Sequence, residues 1–298
     1  MALRFIWLLP VFACISGVLT MFIPYSIGGA LNHTDWVWPF ISDGGALPPE
    51  MCIFGQLLEI TVILVALCIY IRHLQTVTFY KAIVQSVSRL WYPLSVLSMS
   101  VGLFALFAIS MVGNFQETSL LTLHVIAASA GFAIGTVYCV LQTVYSYVML
   151  RKRSNFYLAF VRLLICAFSI LSYLFMHFGW RLDPTASNKH STFHGDLNRW
   201  TSDMPGYTGH LITTFSEWAL VLMFFVYILS FAPEFYGLTL RMPQVDYKMF
   251  SGGLINENSR KYNCENGHES DVEFRYRPSG QPVQTIHVTN SNVAYLHE

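Results

Sequence analysis

Four polar residues within long apolar stretches have side chains suited to binding or acid–base chemistry: Gln56, Glu59, His124 and Glu217. Ionisable groups are costly to bury in such stretches, so they are candidates for a functional site. Glu59, His124 and Glu217 each lie seven or eight residues from one end of their stretch, about 10–12 Å along a helix. We therefore predict a polar cluster of these four residues at one depth.

The predicted surroundings of His124 and Glu217 favour an interior position. His124 shares one helical stripe with Gly131 and Gly135, and small residues at four-residue spacing allow helices to approach closely in membranes. Thr213 lies one turn from Glu217, which indicates a polar inward face there. A carboxylate beside the imidazole would raise the pKa of His124, whereas burial would lower it.

Three interpretations of the cluster stay open: hydrogen bonds that only hold helices together, a site for a lipid headgroup or ion, and catalysis by an intramembrane lipid-modifying enzyme. The sequence has no nucleophile-elbow serine motif, His-Glu-x-x-His, Cys-x-x-Cys or Walker glycine loop. Its acids and imidazoles lack metal-ligand spacing. We expect a non-enzymatic protein without metal or cofactor. A net charge of +0 and the lack of a basic stripe exclude a nucleic-acid partner.

The composition indicates a membrane protein. Only 11% of the residues are charged and 54% are hydrophobic, whereas soluble domains carry about 25% charged residues. A helix needs about 20 apolar residues to cross a bilayer. Six runs qualify: 5–27, 52–71, 93–112, 120–148, 156–178 and 210–232. We predict an all-α membrane protein, a six-transmembrane-helix bundle over residues 1–235, with membrane lipids as its partners.

Residues 38–50, which we call the lip, connect the first two predicted spans. Ser42-Asp43 followed by Gly44-Gly45 predicts a turn, because glycine accepts positive φ. Pro48-Pro49 suits a helix start, where backbone donors have no partner. Glu50 then places a negative charge at the positive end of the helix dipole. We expect the lip to cover the polar cluster on the luminal side.

The basic residues predict that both chain termini are cytosolic. Arg72, Lys81 and Arg89 separate spans two and three, and 151–153 is a basic run between spans four and five. The loop between spans one and two has no lysine or arginine. Positive charge accumulates on the cytosolic side of membrane proteins. We expect Arg162, near the inner end of span five, to extend to the cytosolic headgroups.

Two modification or sorting motifs lie outside the spans. Asn32-His33-Thr34 is a glycosylation sequon on the predicted outside, and its nearness to the membrane is the argument against a glycan at Asn32. Residues 236–298 are polar and predict a mostly disordered cytosolic tail, with short extended pieces around 284–293. In the tail, Tyr247 and Phe250 have the spacing of a clathrin-adaptor signal, although a neutral segment is an equal alternative.

Several motifs, in order along the chain, resemble the Frag/DRAM/Sfk family. They are Phe40–Gly45, Pro48–Glu50, Phe54-Gly55, Val112–Glu117, His124, Gln142–Tyr147, Ser216–Trp218 and Glu234-Phe235. The resemblance covers residues 1–240, and Leu238–Arg241 is most similar to the DRAM branch.

The resemblance implies a six-span endomembrane protein, lysosomal in the first place, that promotes autophagy and apoptosis. Two other branches imply alternatives. One is a plasma-membrane adaptor for a phosphatidylinositol 4-kinase, and the other takes part in lipid remodelling of GPI anchors. The tail is longer than that of the DRAM branch and leaves these alternatives open. Nothing in the sequence indicates the oligomeric state or the ligand.

Overall fold

A computed structural model of the chain describes residues 2–3, 5–83, 91–149, 156–182, 200, 202–241, 272–276, 284–288 and 294–296. In these ranges six helices are long and apolar enough to cross a membrane. The helices are α1 Leu8–Ala30, α2 Glu50–Ile83, α3 Trp91–Asn114, α4 Glu117–Met149, α5 Phe156–Phe178, α6 Tyr207–Leu229 and the short α7 Ala232–Tyr236. The predicted fold class is therefore confirmed, and the chain is an integral membrane protein.

The outer surface of the bundle is apolar. Large side chains such as Ile63, Phe107 and Ile126 are 58–60% exposed. Soluble proteins rarely expose continuous apolar surface, whereas a surface that faces lipid must be apolar. These side chains are thus the ones that face the hydrocarbon of the bilayer.

The six long helices form a closed ring. Each packs against the next one along the chain, and α6 packs against α1. Close approach depends on glycine where α3 meets α4, because a Cβ on Gly131 would lie 2.6 Å from Ile109 Cδ1. We call the end of the ring that carries the lip the outer end, and the end where Ala2–Leu3 and Leu240–Arg241 pair the inner end.

Two buried arginines and one glutamate join the helices at the inner end. Arg72 of α2 and Arg162 of α5 are both 0% exposed. Arg72 Nη1 lies 2.6 Å and Arg162 Nη2 2.9 Å from Oε2 of Glu234 in α7. Both guanidinium groups lie over the ring of Phe231, 5.1 and 4.9 Å from its centroid, a distance that allows cation–π attraction. We call Arg72, Arg162 and Glu234 the inner clamp.

Helix α4 also contributes to this network. Arg72 Nε donates to Gln142 Oε1 at 3.2 Å, and Arg162 Nη1 donates to Ser146 Oγ at 2.8 Å. The expectation that Arg162 extends to the headgroups is therefore wrong. Arg72, taken as a loop residue, lies within α2, which continues twelve residues beyond the predicted end at Ile71 to Ile83.

The two ends of the membrane unit meet at the inner end. Ala2–Leu3 (β1) pairs antiparallel with Leu240–Arg241 (β2), as an even number of spans requires. Leu238 and Leu240 pack against the buried core, and residues 1–242 form one compact unit. The membrane unit thus extends past the predicted boundary at residue 235.

The described part of the tail consists of three short strands. They are β3 Val272–Tyr276, β4 Gln284–Val288 and β5 Ala294–Leu296, antiparallel in the order β3-β4-β5. Strand β4 falls where short extended pieces were expected. The predicted disorder of the remaining tail concerns residues outside the described ranges and stays a prediction.

We predict that Glu234→Gln lowers the free energy of unfolding by about 3–5 kcal/mol, because it leaves two buried guanidinium groups without a counter-ion. Thermal unfolding of the purified chain in detergent would measure this loss. Glu59→Gln is the matched control, because Glu59 only accepts hydrogen bonds from Ser110 and Asn114 and a glutamine oxygen can accept both. Equal unfolding temperatures for the two variants would contradict the prediction.

Candidate functional site

The helix ring encloses a cavity of about 660 Å³, a volume within the range of about 300–1,000 Å³ that is usual for ligand sites. It extends inward from Ser42 and Asp43 of the lip to Tyr138 of α4 and Ile228 of α6. Between Glu117 and Tyr138, helix α4 alone runs for roughly 30 Å. Most of the lining side chains are apolar, and the lining draws on the lip and on all six long helices, with Met176 and His177 from α5.

The lip closes the outer end of the cavity and is fixed to α6. The backbone N–H of Ile41 donates to Glu217 Oε2 at 3.1 Å, and Trp218 Nε1 donates to the carbonyl of Pro39 at 2.9 Å. Both Glu217 and Trp218 are buried, with 7% and 4% exposure. Two consecutive residues of α6 therefore hold the first part of the lip.

Helix α4 holds the other side of the lip. Ser42 Oγ donates to Glu117 Oε2 at 3.2 Å, and Thr118 Oγ1 donates to the carbonyl of Ala46 at 2.9 Å. Both α4 residues lie in its first turn. The lip thus bridges α4 and α6 across the top of the cavity.

The glycines of the lip serve a different purpose from the one expected. Asp43–Gly45 forms a short 3-10 turn, and neither Gly44 nor Gly45 has positive φ. A Cβ on Gly44 would lie 2.9 Å from Tyr25 Cα, and one on Gly45 would lie 2.5 Å from Phe54 Cγ. Close packing, and not backbone freedom, requires glycine here.

The remaining lip residues lie where the sequence predicted them. Pro48 and Pro49 directly precede α2, whose first residue is Glu50. Glu50 is 0% exposed, and its Oε1 lies 2.6 Å from His33 Nδ1. Its Oε1 is thus paired with the loop that follows α1, whereas its Oε2 is buried without a hydrogen-bond partner among the described residues.

Three carboxyl groups line the outer end of the cavity: those of Asp43, Glu117 and Glu217. Burial, and next the charge of Glu117, hold the pKa of the Asp43 carboxyl well above its ordinary value. Glu117 Oε1 is buried and has no hydrogen-bond partner within the described residues. The described lining includes no lysine or arginine, so the outer end is acidic.

His124 also lines the cavity and is 5% exposed. Its Nδ1 lies 2.7 Å from the carbonyl oxygen of Phe115. A carbonyl only accepts, so Nδ1 carries a hydrogen and donates it. The nitrogen that remains for a ligand is Nε2.

The structure does not join the four residues of the predicted polar cluster. His124 and Glu217 line the cavity, but Glu59 accepts hydrogen bonds from Ser110 Oγ at 2.5 Å and Asn114 Nδ2 at 2.8 Å, both on α3. Gln56 is exposed. The face of α2 that lines the cavity carries Phe54, Leu58, Thr61 and Val65. The sequence predicted how far along α2 Glu59 lies, but it did not predict which face of α2 lines the cavity.

Sequence reasoning missed Glu117 as a cavity residue, although it ended one of the quoted motifs. It stands at the outer start of α4 and carries the charge that faces Asp43. Within the described ranges, no group of three or more His, Cys, Asp or Glu could hold a metal ion. Asn32 is exposed just beyond the end of α1, whereas Tyr247 and Phe250 lie outside the described residues.

We predict that Asp43 makes the chain less stable as pH rises above about 4. The folded chain keeps the Asp43 proton, which the unfolded chain releases at its ordinary pKa of about 3.9, so this group favours folding at low pH. Asp43→Asn cannot titrate and should remove this contribution. Unfolding temperatures of wild type and Asp43→Asn across the pH series measure it. Parallel curves for wild type and Asp43→Asn would contradict the assignment.

Comparison with known proteins covers the whole helix ring. Residues 5–238 match the family described as Frag1/DRAM/Sfk1/Cwh43P N-terminal domain. The chain is 32% identical over 225 residues to DNA damage-regulated autophagy modulator protein 2 of Homo sapiens, which is 73% of this chain and 79% of that protein. It is 28% identical over 224 residues to the human modulator protein 1, covering 74% and 87% of the two chains.

A third relative is Modulator of macroautophagy TMEM150B of Xenopus tropicalis, 33% identical over 158 residues, or 52% of this chain and 64% of that one. No solved structure matches. The family match runs from before α1 to beyond α7 and includes the lip, the acidic end of the cavity and the inner clamp. The chain therefore belongs to the Frag1/DRAM/Sfk1 family.

Proposed function

We propose that this chain is a non-enzymatic membrane protein that modulates autophagy and that its main location is the lysosomal membrane. The observation that carries the proposal is the extent of the match. Relatives named as autophagy modulators align with 73–75% of the chain, and the family match spans all six helices. The likeness thus extends over the whole membrane unit and not over one motif.

The geometry of the cavity supports a binding role over catalysis. Glu217 accepts a backbone N–H of the lip, Glu117 accepts a lip hydroxyl, and His124 donates to a backbone carbonyl. In the described ranges these groups are engaged in positioning the lip and the start of α4. A general base needs to reach a nucleophile or a reacting proton. The contact of Glu117 Oε2 with Ser42 Oγ, at 3.2 Å, does join a carboxylate to a hydroxyl, but this serine belongs to the lip and the contact fixes the lip to α4.

Lipid binding is the second candidate function, and the cavity is the observation that favours it. A largely apolar space of about 660 Å³ with a polar outer end suits a molecule with an alkyl chain and a polar head. The third possibility, an adaptor for a phosphatidylinositol 4-kinase that acts through the tail, depends mostly on residues outside the described ranges. The described residues give it no support.

We expect loss of the chain to lower autophagic flux, because it is proposed to promote the process. Flux is measured in cells lacking the chain, as the LC3-II that accumulates when lysosomal acidification is blocked. Re-expressed wild type should restore it. A chain that ends at residue 250 keeps both the membrane unit and the Tyr247–Phe250 motif, and it should restore flux as well, whereas the adaptor function predicts failure. Unchanged flux on loss of the full chain would overturn the proposal.

We expect Tyr247→Ala to move the tagged protein from lysosomes to the plasma membrane, because the adaptor pocket reads the tyrosine ring. The measurement is co-localisation with lysosomal markers together with surface biotinylation. Tyr236→Ala is the matched control, since Tyr236 is 74% exposed and is followed at the third position by Thr239 instead of a bulky apolar residue. Unchanged lysosomal residence of Tyr247→Ala would refute the signal.

The same cells can be used to determine the orientation of the chain in the membrane. A glycosidase that removes N-glycans should shift the mobility of wild type but not of Asn32→Gln, if the lip side faces the lumen. If the lip faced the cytosol, Asn32 would carry no glycan, and the glycosidase would not change the mobility of wild type. A tag at a chain terminus would then lie in the lumen and would be fully protected from added protease. Together these readouts assign both sides of the membrane.

A further inference from the structure

We propose that the cavity binds a single-chain amphiphile with a protonated primary amine as its head. The amine would lie among Asp43, Glu117 and Glu217 under the lip, and the alkyl chain would extend inward along α4 and α6. The inference deepens the lipid-binding candidate and rests on it. It names the chemical class of ligand, which neither the family match nor the relatives' names supply.

The charge of the outer end selects a cation. Three carboxyl groups converge there, and the described lining has no lysine or arginine to balance them. Buried charges require a counter-ion, or they give up their charge. An ammonium group carries three N–H donors and no acceptor, so it is suited to a site made of carboxylate oxygens.

An acceptor without a fixed donor is already in place. Glu117 uses Oε2 to accept from Ser42, whereas no N–H or hydroxyl of the described residues donates to its buried Oε1, which leaves the Asp43 proton or an ammonium as its donor. At the far end, Tyr138 is 4% exposed, lines the same cavity, and its Oη likewise lacks a described partner. Leaving such atoms unpaired is costly. Glu117 Oε1 is an acceptor for the amine, and Tyr138 Oη marks how deep the cavity extends.

The same charges exclude other lipid heads. A phosphate or carboxylate at this position would face the Glu117 carboxylate, and like charges repel strongly where water is scarce. Phospholipids and fatty acids are therefore disfavoured. The apolar wall below, which includes Met21, Leu58 and Val65, excludes a small polar cation such as a polyamine, because it would leave that wall without contacts.

The volume favours one chain over two. The cavity volume of about 660 Å³ is in the range of a single small-molecule ligand. The cavity extends along helices that cross a hydrocarbon core of about 30 Å. A long narrow space of this kind accepts an extended alkyl chain. The ligand class is therefore a long-chain primary amine.

Photoaffinity labelling tests this assignment. The purified full chain is placed in phosphatidylcholine nanodiscs and exposed to a long-chain alkylamine that carries a diazirine on its chain. A second probe has the same chain and diazirine but ends in a carboxylate. We expect the amine probe to label the chain at least about tenfold more strongly, to be displaced by unlabelled hexadecylamine, and to mark peptides from α4 and α6.

Matched variants locate the head and the chain. Glu117→Gln and Glu217→Gln should reduce amine labelling, whereas Glu59→Gln changes the same kind of group outside the cavity and should not. Ala128→Trp fills the cavity and should block labelling. Val137→Trp lies on the same helix with 50% exposure and should have no effect. Elution in size-exclusion chromatography checks that each variant is folded.

The possible outcomes distinguish two claims: that the cavity binds a lipid, and that this lipid has an amine head. Equal labelling by both probes, blocked in each case by Ala128→Trp, would overturn the amine head while leaving lipid binding in place. Labelling by neither probe above the level of Ala128→Trp would overturn both. The comparison of the two probes on wild type needs no variant, so it decides the matter even where a substitution prevents folding.

Discussion

The fold depends on one carboxylate that is shared by two buried arginines. Glu234 lies within 2.9 Å of a nitrogen of both Arg72 and Arg162, and both arginines are fully buried. Removing two guanidinium groups from water is so unfavourable that the three residues must meet for the chain to fold. Because they lie on α2, α5 and α7, their meeting fixes how distant parts of the chain come together. Gln142 and Ser146 then bring α4 into the same network.

The two ends of the ring are therefore held by interactions of different strength. The inner end is joined by paired charges, whereas the lip is attached at the outer end by four separate hydrogen bonds to α4 and α6. A typical hydrogen bond contributes about 0.5–1.5 kcal/mol net. Local opening of a folded protein takes place in its less stable elements. The lip is thus the part of this unit best suited to admit a ligand from the outer leaflet.

The limits of sequence reasoning are visible in particular residues. Phe156–Phe178 coincides with its predicted span, because an uninterrupted apolar run is a local signal. The end of α2 was misplaced because Arg72 was taken to leave the membrane, while its counter-ion stands 162 residues away. Helical rise predicted Glu59 and Glu217 at one depth, yet only Glu217 lines the cavity. Helix rotation follows from packing against neighbours, which one sequence does not specify.

The family motifs acquire a physical meaning in this arrangement. Ser42, Asp43, Glu117 and Glu217 come from three motifs and meet at the outer end of the cavity. Gln142, Ser146 and Glu234 come from two others and meet at the inner clamp. The motifs thus divide between closing the ring and lining its acidic mouth. At the inner clamp opposite charges are paired, because both arginines contact Glu234. The described lining of the acidic mouth has His124 and His177 but no lysine or arginine, so its carboxyl groups are not paired in this way, and that difference distinguishes a binding end from a structural one.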